Sequence, residues 1–523
     1  MPMLRQTMKK GLLSLAALSL GAGASWAQAP STLRVQLRAD IRSIDPGVNR
    51  DHNTDGVALH IVEGLVAYGE DAQPKPLLAE KVERSADGKS YTFRLRKGVK
   101  FHNGAEMTSA DVVWSWNRYM APKTDWRCLS EFDGRGIVKV ESVTAPDPHT
   151  VVFALDKPSA LFLSSLARTD CAMAGVMHKD SLKADGSFDK PIGTGPFKFV
   201  EWRRGEVVRL EKFADYAALS GKVDGMAGSK RPLVDELHFM VIPDMATAKA
   251  ALLSGDVDVV PDVDNADVAE LKKTEKVKLS VSSHMGLVGL IMQTRDPVLS
   301  NVKLRLAIAS AIDKAELVSA VTDGIGKPNG SIIPTLSSYH GKVQDEDVRF
   351  DLAAAKKLIA EAGYKGEKIV MLANKRYPQS FNAAVVAQQM LQAAGLNVDI
   401  EVLEWATQLD RYSKGNYQIQ AFPYSGRMDP ALSYESMTGP KDKQPRKLWD
   451  NPEVQALLEK SMVVAETAER QAIFDELHRR FLAEMPMIML YNGIAGGATG
   501  DKVDGYTSSL TSLPQLWEVS VKR

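Results

Sequence analysis

Residues 368–405, KIVMLANKRYPQSFNAAVVAQQMLQAAGLNVDIEVLEW, decide the class of fold. KIVML is a short apolar run typical of a buried strand, SFNAAVVAQQMLQAAG has helical spacing and stops at Gly395, and LNVDIEVLEW is again strand-like. This order predicts two parallel strands joined by a right-handed crossover. Ligands of such units sit beyond the carboxyl ends of the strands, here residues 373–379 and 404–408. The stretch therefore predicts an α/β fold with a binding site at those ends.

The segments on either side also have readable patterns. KSYTFRLRKGVKF alternates apolar and polar residues around Lys97-Gly98, which predicts a hairpin, and residues 193–213 predict two more strands. Thr108 and Asp351 are placed to cap helices, and Asn451 begins a segment that reads as two helices. No internal repeat or low-complexity linker is visible. We therefore expect crossing strands, rather than a flexible tether, to join the parts of the chain.

The first 27 residues differ from the rest. MPMLRQTMKK is basic, GLLSLAALSLGAGA is apolar, and SWAQA places small residues at Ser25 and Ala27. This order is typical of a secretory signal, and we predict cleavage after Ala27. The apolar run is too short to span a bilayer comfortably. No cysteine directly follows the predicted cleavage site, so we expect a free periplasmic protein without a lipid anchor.

Length and composition narrow the possibilities further. A chain of 523 residues exceeds what one hydrophobic core normally holds, so two or more lobes are expected. The formal charge is zero, which provides no electrostatic basis for nucleic-acid binding. The two cysteines, Cys128 and Cys171, suggest a disulfide in an exported chain, although two separate buried thiols would also fit.

The sequence contains none of the common catalytic or phosphate-binding motifs. Its nine histidines lack metal-ligand spacing, so we predict neither metal nor cofactor, and no enzyme. His478 lies on a charged helix face and is expected to be exposed to solvent. His52, in the polar loop NRDHNTD, is either a solvated loop residue or part of a site.

Four segments together resemble one family. They are residues 43–118, beginning SIDPGVNRDHNTDGVALHIVEGLVAYGE, and GTGPFKFVEW (193–202), IPDMATAKAALLSGDVDVV (242–260) and NVKLRLAIASAIDK (301–314). In this order they resemble the family 5 substrate-binding proteins of bacterial ABC importers, which include dipeptide-, oligopeptide-, glutathione- and nickel-binding members. The resemblance covers nearly all of the chain after the signal.

The resemblance implies a two-lobed periplasmic-binding-protein fold of type II, with a hinge, an interlobe cleft and an inserted subdomain. Lobe I would be discontinuous and would comprise residues 28–60, 187–280 and 490–523. The inserted subdomain would be residues 61–186, and lobe II residues 281–489. The implied partners are a small-molecule ligand and the transmembrane subunits of an ABC permease, with the receptor itself a monomer.

The loop PYSGRMDP, residues 423–430, carries the most specific expectation. In peptide-binding members the matching loop holds an aspartate that pairs with the free amino group of the peptide. Arg427 occupies that position here, which reverses the charge and favours an anion, most simply a carboxylate. Two alternatives stay open. Arg427 could pair internally with Asp429, or a shifted alignment could leave Asp429 to take the amine.

The same resemblance implies the other ligand contacts. On the first-lobe side these are Arg50, Asp51 and His52. On the second-lobe side they are Arg376, Tyr377, Trp405 and Tyr424. For Arg376 a solvated loop arginine, and for Tyr424 core packing, are the competing interpretations.

The leading hypothesis is a receptor that delivers a small organic solute, a peptide or another carboxylate-bearing compound, to a membrane permease. A chaperone or ligand sensor could share the fold, because a fold does not fix function. A hydrolase is less favoured, since no nucleophile with a base is evident. Nickel chelates are also less favoured, because no histidine accompanies the second-lobe loop.

Overall fold

The computed structural model describes residues 30–48, 51–263 and 265–522. The predicted signal segment lies outside these residues. The strands of the described chain are β1 (Thr32–Leu37), β2 (Val66–Tyr68), β3 (Pro74–Pro76), β4 (Ala79–Arg84), β5 (Ser90–Leu95), β6 (Val140–Asp147), β7 (Thr150–Leu155), β8 (Phe197–Arg203), β9 (Val207–Lys212), β10 (Val223–Asp224), β11 (Ala227–Gly228), β12 (Glu236–Val241), β13 (Val259–Val260), β14 (Val277–Met292), β15 (Ile369–Ala373), β16 (Val398–Val402), β17 (Ile419–Tyr424), β18 (Met487–Gly500), β19 (Val503–Asp504) and β20 (Ser520–Val521).

The α-helices are distributed along the whole described chain. They are α1 (His52–Ala58), α2 (Ser109–Met120), α3 (Leu129–Phe132), α4 (Phe162–Leu166), α5 (Met245–Ser254), α6 (Asn265–Leu271), α7 (Val302–Ser310), α8 (Lys314–Val321), α9 (Leu352–Glu361), α10 (Pro378–Ala393), α11 (Trp405–Lys414), α12 (Pro430–Met437), α13 (Pro452–Val463) and α14 (Thr467–Glu484). Within the described ranges, none of them combines the length and the apolar character needed to cross a membrane.

A ten-stranded mixed sheet runs through the molecule in the order β16-β15-β17-β14-β18-β13-β1-β12-β9-β8. Its central strands, β14 and β18, are the longest and pair antiparallel along most of their length. Strands β13, β1, β12, β9 and β8 lie on one side of this pair, and β17, β15 and β16 on the other. The fold is α/β and two-lobed, and the expectation of crossing strands is confirmed.

Several local predictions are confirmed. Strands β15 and β16 are parallel, with α10 between them in the chain. Asp351 caps α9 by accepting a hydrogen bond from the backbone N–H of Ala354, and Thr108 forms a capping box with Asp111 at the start of α2. Asn451 caps α13, and α14 follows as the second helix of that segment. These features depend on short-range chemistry.

The predicted hairpin around Lys97-Gly98 is wrong. Strand β5 pairs with β4 on one edge and with β7 on the other, in a separate sheet of order β4-β5-β7-β6. With both edges taken, the residues after Gly98 cannot pair with β5. Their apolar side chains, Val99 and Phe101, are instead buried in the core beneath this sheet.

A disulfide joins Cys128 and Cys171 beside the four-stranded sheet, with their Cα atoms 5.8 Å apart. It closes a loop over a sequence separation of 43 residues. Constraining the unfolded chain over such a length is worth about 4 kcal/mol in the chain-entropy account. Trp126 is buried next to it and donates a hydrogen bond from Nε1 to the carbonyl oxygen of Cys171 at 3.3 Å.

A buried ion pair fastens the loop between β17 and α12. Arg470, on α14, donates to both carboxylate oxygens of Asp429, at 2.7 and 2.6 Å, and each side chain is only 4% exposed. Asp429 also caps α12 through the backbone N–H of Ala431 at 2.9 Å. Two helices are thereby tied to one carboxylate.

His478 corrects another expectation. Its side chain is fully buried on the inner face of α14, not exposed on the charged face. Its Nε2 lies 3.0 Å from the carbonyl oxygen of Glu346, and burial lowers the pKa of the ring. The charged neighbours of His478 in sequence obscured which face of the helix it occupies.

We expect Arg470→Met to lower the free energy of unfolding by about 3–5 kcal/mol, because it leaves the carboxylate of Asp429 buried without its cation. Arg480→Met is the matched control on the same helix. Its ion pair with Glu453 is largely exposed on the acid side, so its loss should cost much less than the loss of Arg470. Urea unfolding measures both variants. Equal, small losses would show that the Asp429–Arg470 pair is not a structural fastener.

Candidate ligand-binding site

The carboxyl ends of three neighbouring strands meet at one edge of the large sheet. Strand β15 is parallel to both β16 and β17, so all three point to the same side. The residues that follow them include Arg376 and Tyr377 after β15, Trp405 after β16, and Arg427 after β17. Trp405 is the first residue of α11, rather than the last of a strand as the sequence suggested. The strand-end rule therefore brings the second-lobe candidates to one edge.

Four aromatic rings form a continuous cluster there, which we call the aromatic surface: the partly exposed Tyr377, Trp405 and Tyr424, and the buried Phe422. Ring centroids are 4.9 Å apart between Tyr377 and Trp405, 5.5 Å between Trp405 and Phe422, and 5.0 Å between Phe422 and Tyr424. Phe422 was missed by sequence reasoning. Its alternation with Tyr424 on β17 was the available signal, since residues two apart share a face of a strand.

A buried amide network holds the aromatic surface in place. Asn374 accepts a hydrogen bond from the backbone N–H of Tyr377 at 3.2 Å and donates to Gln408 at 2.7 Å. Gln408, on α11, donates in turn to the carbonyl oxygen of Ala421 at 3.0 Å. Asn374 and Gln408 are almost completely buried. The network links the three strand ends, so Tyr377 and Trp405 have fixed positions relative to β17.

Tyr424 has its hydroxyl 3.1 Å from that of Tyr412. Burial raises the pKa of Tyr424 well above its usual value, and the neighbouring Tyr412 reinforces the shift. The phenol is therefore protonated at neutral pH and remains able to donate a hydrogen bond.

The two candidate arginines, Arg376 and Arg427, are exposed in the loops that follow β15 and β17. Arg376 lies in the loop after β15, and Arg427 lies at the tip of the loop after β17, where its Nη1 donates to the carbonyl oxygen of Gly426 at 3.2 Å. Asp429 is buried beneath this loop and is bound by Arg470. The alternative in which Asp429 pairs with Arg427 does not agree with this arrangement, because both carboxylate oxygens of Asp429 accept hydrogen bonds from the guanidinium of Arg470.

The first-lobe candidates differ in their hydrogen bonds and in their exposure to solvent. Asp51 caps α1, accepting from the backbone N–H of Thr54 at 2.9 Å and from its hydroxyl at 2.7 Å. His52 is exposed, with Nε2 3.2 Å from the carbonyl oxygen of Ser512. Arg50 lies outside the described residues. Of the two described residues, His52 is the one whose side chain is exposed.

The loop after β17 approaches the crossing strands closely. A Cβ added to Gly426 would lie 2.8 Å from the Cβ of Met285 on β14. The backbone N–H of Met285 donates to the carbonyl oxygen of Leu510 at 3.3 Å, and Met428 packs against the core of the first lobe. The second-lobe loop and the C-terminal segment of the chain thus meet at β14.

His284 lies at the point where the pairing of β14 and β18 is irregular. The register shifts between Ser283 and Leu287. A Cβ on Gly493 or Gly286 would come within 2.2–2.3 Å of the His284 ring, so both glycines leave room for it. Burial lowers the pKa of His284 to about 4, with a smaller contribution from His52. Sequence reasoning missed this residue.

The metal-binding potential of the described residues is limited. One group of three side chains has suitably close ligand atoms: Cys128, Asp170 and Cys171. Its two sulfur atoms are bonded to each other, so they are not available as thiolates.

Comparison with known proteins identifies the family. The sequence model of the bacterial extracellular solute-binding proteins, family 5, matches residues 73–445. The chain belongs to this family. The predicted family and its two-lobed fold are confirmed, and the protein has the receptor role of a solute-binding protein.

Individual relatives differ in what they bind. Heme-binding protein A of Haemophilus influenzae is 27% identical over 86% of this chain and 84% of its own. The dipeptide-binding protein of Escherichia coli is 32% identical over 67% of each chain. The structure of AgaA from A. tumefaciens R10, in complex with agropinic acid, superposes with a TM-score of 0.68 at 29% identity, covering 94% of this chain and 99% of AgaA.

The stability of the protein should depend on the pH because of His284. Its pKa is about 4 in the folded state and about 6.5 in an unfolded chain, so the unfolded state binds the proton more readily. The stabilising contribution of the neutral ring is therefore complete above pH 6.5 and is lost as the pH falls toward 4. We expect about 2 kcal/mol to be lost from this residue by pH 5.

Urea unfolding at pH 7 and pH 5 tests this dependence. His284→Asn should reduce the difference in the free energy of unfolding between the two pH values. An unaltered difference in the His284 variant would contradict the assignment.

Proposed function

We propose that this solute-binding protein is the periplasmic receptor of an ABC importer and that its ligand is a small organic compound bearing a carboxylate. One observation carries the choice of ligand. Asp429 is buried and forms an ion pair with Arg470, so the acid of the second-lobe loop does not face a ligand amine. The exposed charge of that loop is the guanidinium of Arg427. A guanidinium matches a carboxylate with two parallel hydrogen bonds.

The remaining parts of the site suit such a ligand. The aromatic surface offers an apolar platform beside Arg427, and Arg376 adds a second exposed cation at the same edge. The agropinic acid complex of AgaA supports an organic acid as ligand class. The dipeptide-binding relative supports a short peptide, which also carries a carboxylate.

Closure would occur by rotation of the lobes about β14 and β18. We assign lobe I to residues 28–60, 187–280 and 490–523, the inserted subdomain to 61–186, and lobe II to 281–489. A ligand held by both lobes stabilises the closed state in proportion to its differential affinity. Closing excludes water, which strengthens the contact between Arg427 and the carboxylate. The closed receptor, a monomer, would then dock on the permease.

The periplasmic location rests on the residue pattern of the first 27 residues and on the family. In this proposal the segment is a secretory signal cleaved after Ala27, and the mature protein has no lipid anchor.

Arg427→Ala tests the ligand class. Calorimetric titration of the mature protein would use simple organic acids, free dipeptides, N-blocked dipeptides and hemin as candidate ligands. We expect the acids or blocked peptides to bind the wild type and to lose about 10- to 100-fold in affinity in Arg427→Ala, because a hydrogen-bonded charge is removed. Arg349→Ala is the control, since Arg349 is also exposed but lies in a different loop, before α9.

Two results would contradict the proposal. Free dipeptides binding equally to the wild type and to Arg427→Ala would make the protein an ordinary peptide receptor in which Arg427 has no ligand contact. Binding of hemin alone would assign it to the ligand class of the Haemophilus relative.

A further inference from the structure

The second lobe has another pocket, of about 640 Å³, away from the aromatic surface. Its walls include the last turn of α11, with Arg411 and Lys414, whereas Trp405 of the aromatic surface is the first residue of the same helix. A ten-residue helix is about 15 Å long, so the two regions lie near opposite ends of α11. Val370 and Leu372 of β15 also line this pocket, which we call the lobe II pocket.

Lys441 is the central feature of the lobe II pocket. It is only 3% exposed, and its Nζ donates to the side-chain oxygens of Gln293 and Thr294, both at 2.6 Å. Among the residues that the structure describes, no carboxylate lies within ion-pair distance of this ammonium group. Burying a charge with neutral partners alone is costly.

The other buried lysines of the described chain are all paired with an acid. Their ion pairs are Lys230 with Glu63 at 3.3 Å, Lys314 with Asp347 at 2.6 Å, and Lys447 with Glu435 at 2.9 Å. Lys441 therefore departs from the pattern that the rest of the molecule follows, and it does so where the chain forms a pocket.

The other charged side chains around the pocket already have ion-pair or hydrogen-bond partners. Their partners are Glu401 for Arg411, Asp442 and Asp450 for Arg295, Asp410 for Lys414, and the backbone N–H groups of Val298 and Leu299 for Asp296. Lys441 is thus the cation of the pocket wall without an acidic partner in the described chain. An incoming anion would supply one.

Tyr417 lines the same pocket and carries a buried polar atom. Its side chain lines the wall, and within the described part of the chain its buried hydroxyl has no hydrogen-bond partner. A buried hydroxyl without a partner carries a desolvation penalty that a ligand oxygen would relieve. Together with Val370 and Leu372, the wall offers an ammonium group, a hydroxyl donor and an apolar patch.

We propose that the lobe II pocket is a second ligand site, which binds a small organic carboxylate through Lys441 and Tyr417. The carboxylate would accept from the ammonium group and the hydroxyl, and its carbon skeleton would lie against Val370 and Leu372. A phosphate ion suits the pocket less well, because it has no carbon skeleton to lie against Val370 and Leu372. The site is independent of Arg427 and of the cleft.

Calorimetric titration of the mature protein with succinate tests the second site, with inorganic phosphate as the comparison anion. We expect succinate to bind the wild type and to lose at least tenfold in affinity at this site in Lys441→Met, which retains the length of the side chain. Lys443→Met is the matched control, because Lys443 is exposed two residues further along the chain. Tyr417→Phe removes only the hydroxyl and should weaken binding several-fold.

Arg427→Ala separates this site from the cleft. Binding that survives in Arg427→Ala and disappears in Lys441→Met belongs to the lobe II pocket. Binding that disappears only in Arg427→Ala belongs to the cleft and overturns the second site. Absence of succinate binding to the wild type at millimolar concentration, or binding of phosphate in preference to succinate, would also overturn it.

The pH provides a readout that a structural role would not affect. Burial lowers the pKa of Lys441 to about 8, with Arg295 and Arg305 lowering it further and Asp450 opposing them. Only the ammonium form attracts the carboxylate, so affinity at the second site should decrease as the pH rises from 7 to 9. Binding through Arg427 would not change over this range, because a guanidinium stays protonated. A constant affinity of the second site would contradict the role of Lys441.

Discussion

The antiparallel pairing of β14 with β18 is the constraint on which the rest of the structure depends. These two strands lie at the middle of the ten-stranded sheet and join the strands on its two sides. In the closing motion proposed above, these two strands would absorb the relative rotation of the lobes. The register shift between Ser283 and Leu287 marks the place where their ladder is already interrupted. The ring of His284 occupies the space that Gly286 and Gly493 leave there.

At the binding edge, the residues that support the structure are different from those that can contact a ligand. The side chains of Asn374 and Gln408 form hydrogen bonds with the backbone and with each other, and so support the site from below. The neighbouring side chains of Tyr377 and Trp405 are available for a ligand. The same division operates in the loop after β17. A buried carboxylate there holds two helices together through Arg470, and the exposed position is given to the guanidinium of Arg427. The exposed charge of this loop is positive because Asp429 is buried and Arg427 is exposed.

Short-range features of this fold could be predicted from the sequence, and features that depend on distant partners could not. Asp351 and Thr108 cap helices through residues three positions away, so their roles are visible in the chain itself. The parallel arrangement of β15 and β16 follows from one contiguous segment, and it correctly located the ends near Tyr377 and Trp405.

The predictions that failed depend on contacts between residues far apart in the sequence. The partner of Asp429 is 41 residues away on another helix, and the second edge of β5 is taken by β7, which comes later in the chain. His284 and Lys441 stand out only once their surroundings are known, because an irregular strand pair and a pocket wall are assembled from distant segments. The family resemblance provided what periodicity could not, namely the two-lobed architecture.

The disulfide between Cys128 and Cys171 has a consequence for how the protein matures. Both cysteines of the chain lie in the region of the four-stranded sheet, and the second lobe contains none. In a reducing compartment the region around Trp126 would therefore lack its covalent brace, whereas the aromatic surface, Arg376 and Arg427 would lose no covalent bond. Recombinant material made without oxidative folding would then bind ligand normally but be cut first by proteases within residues 128–171.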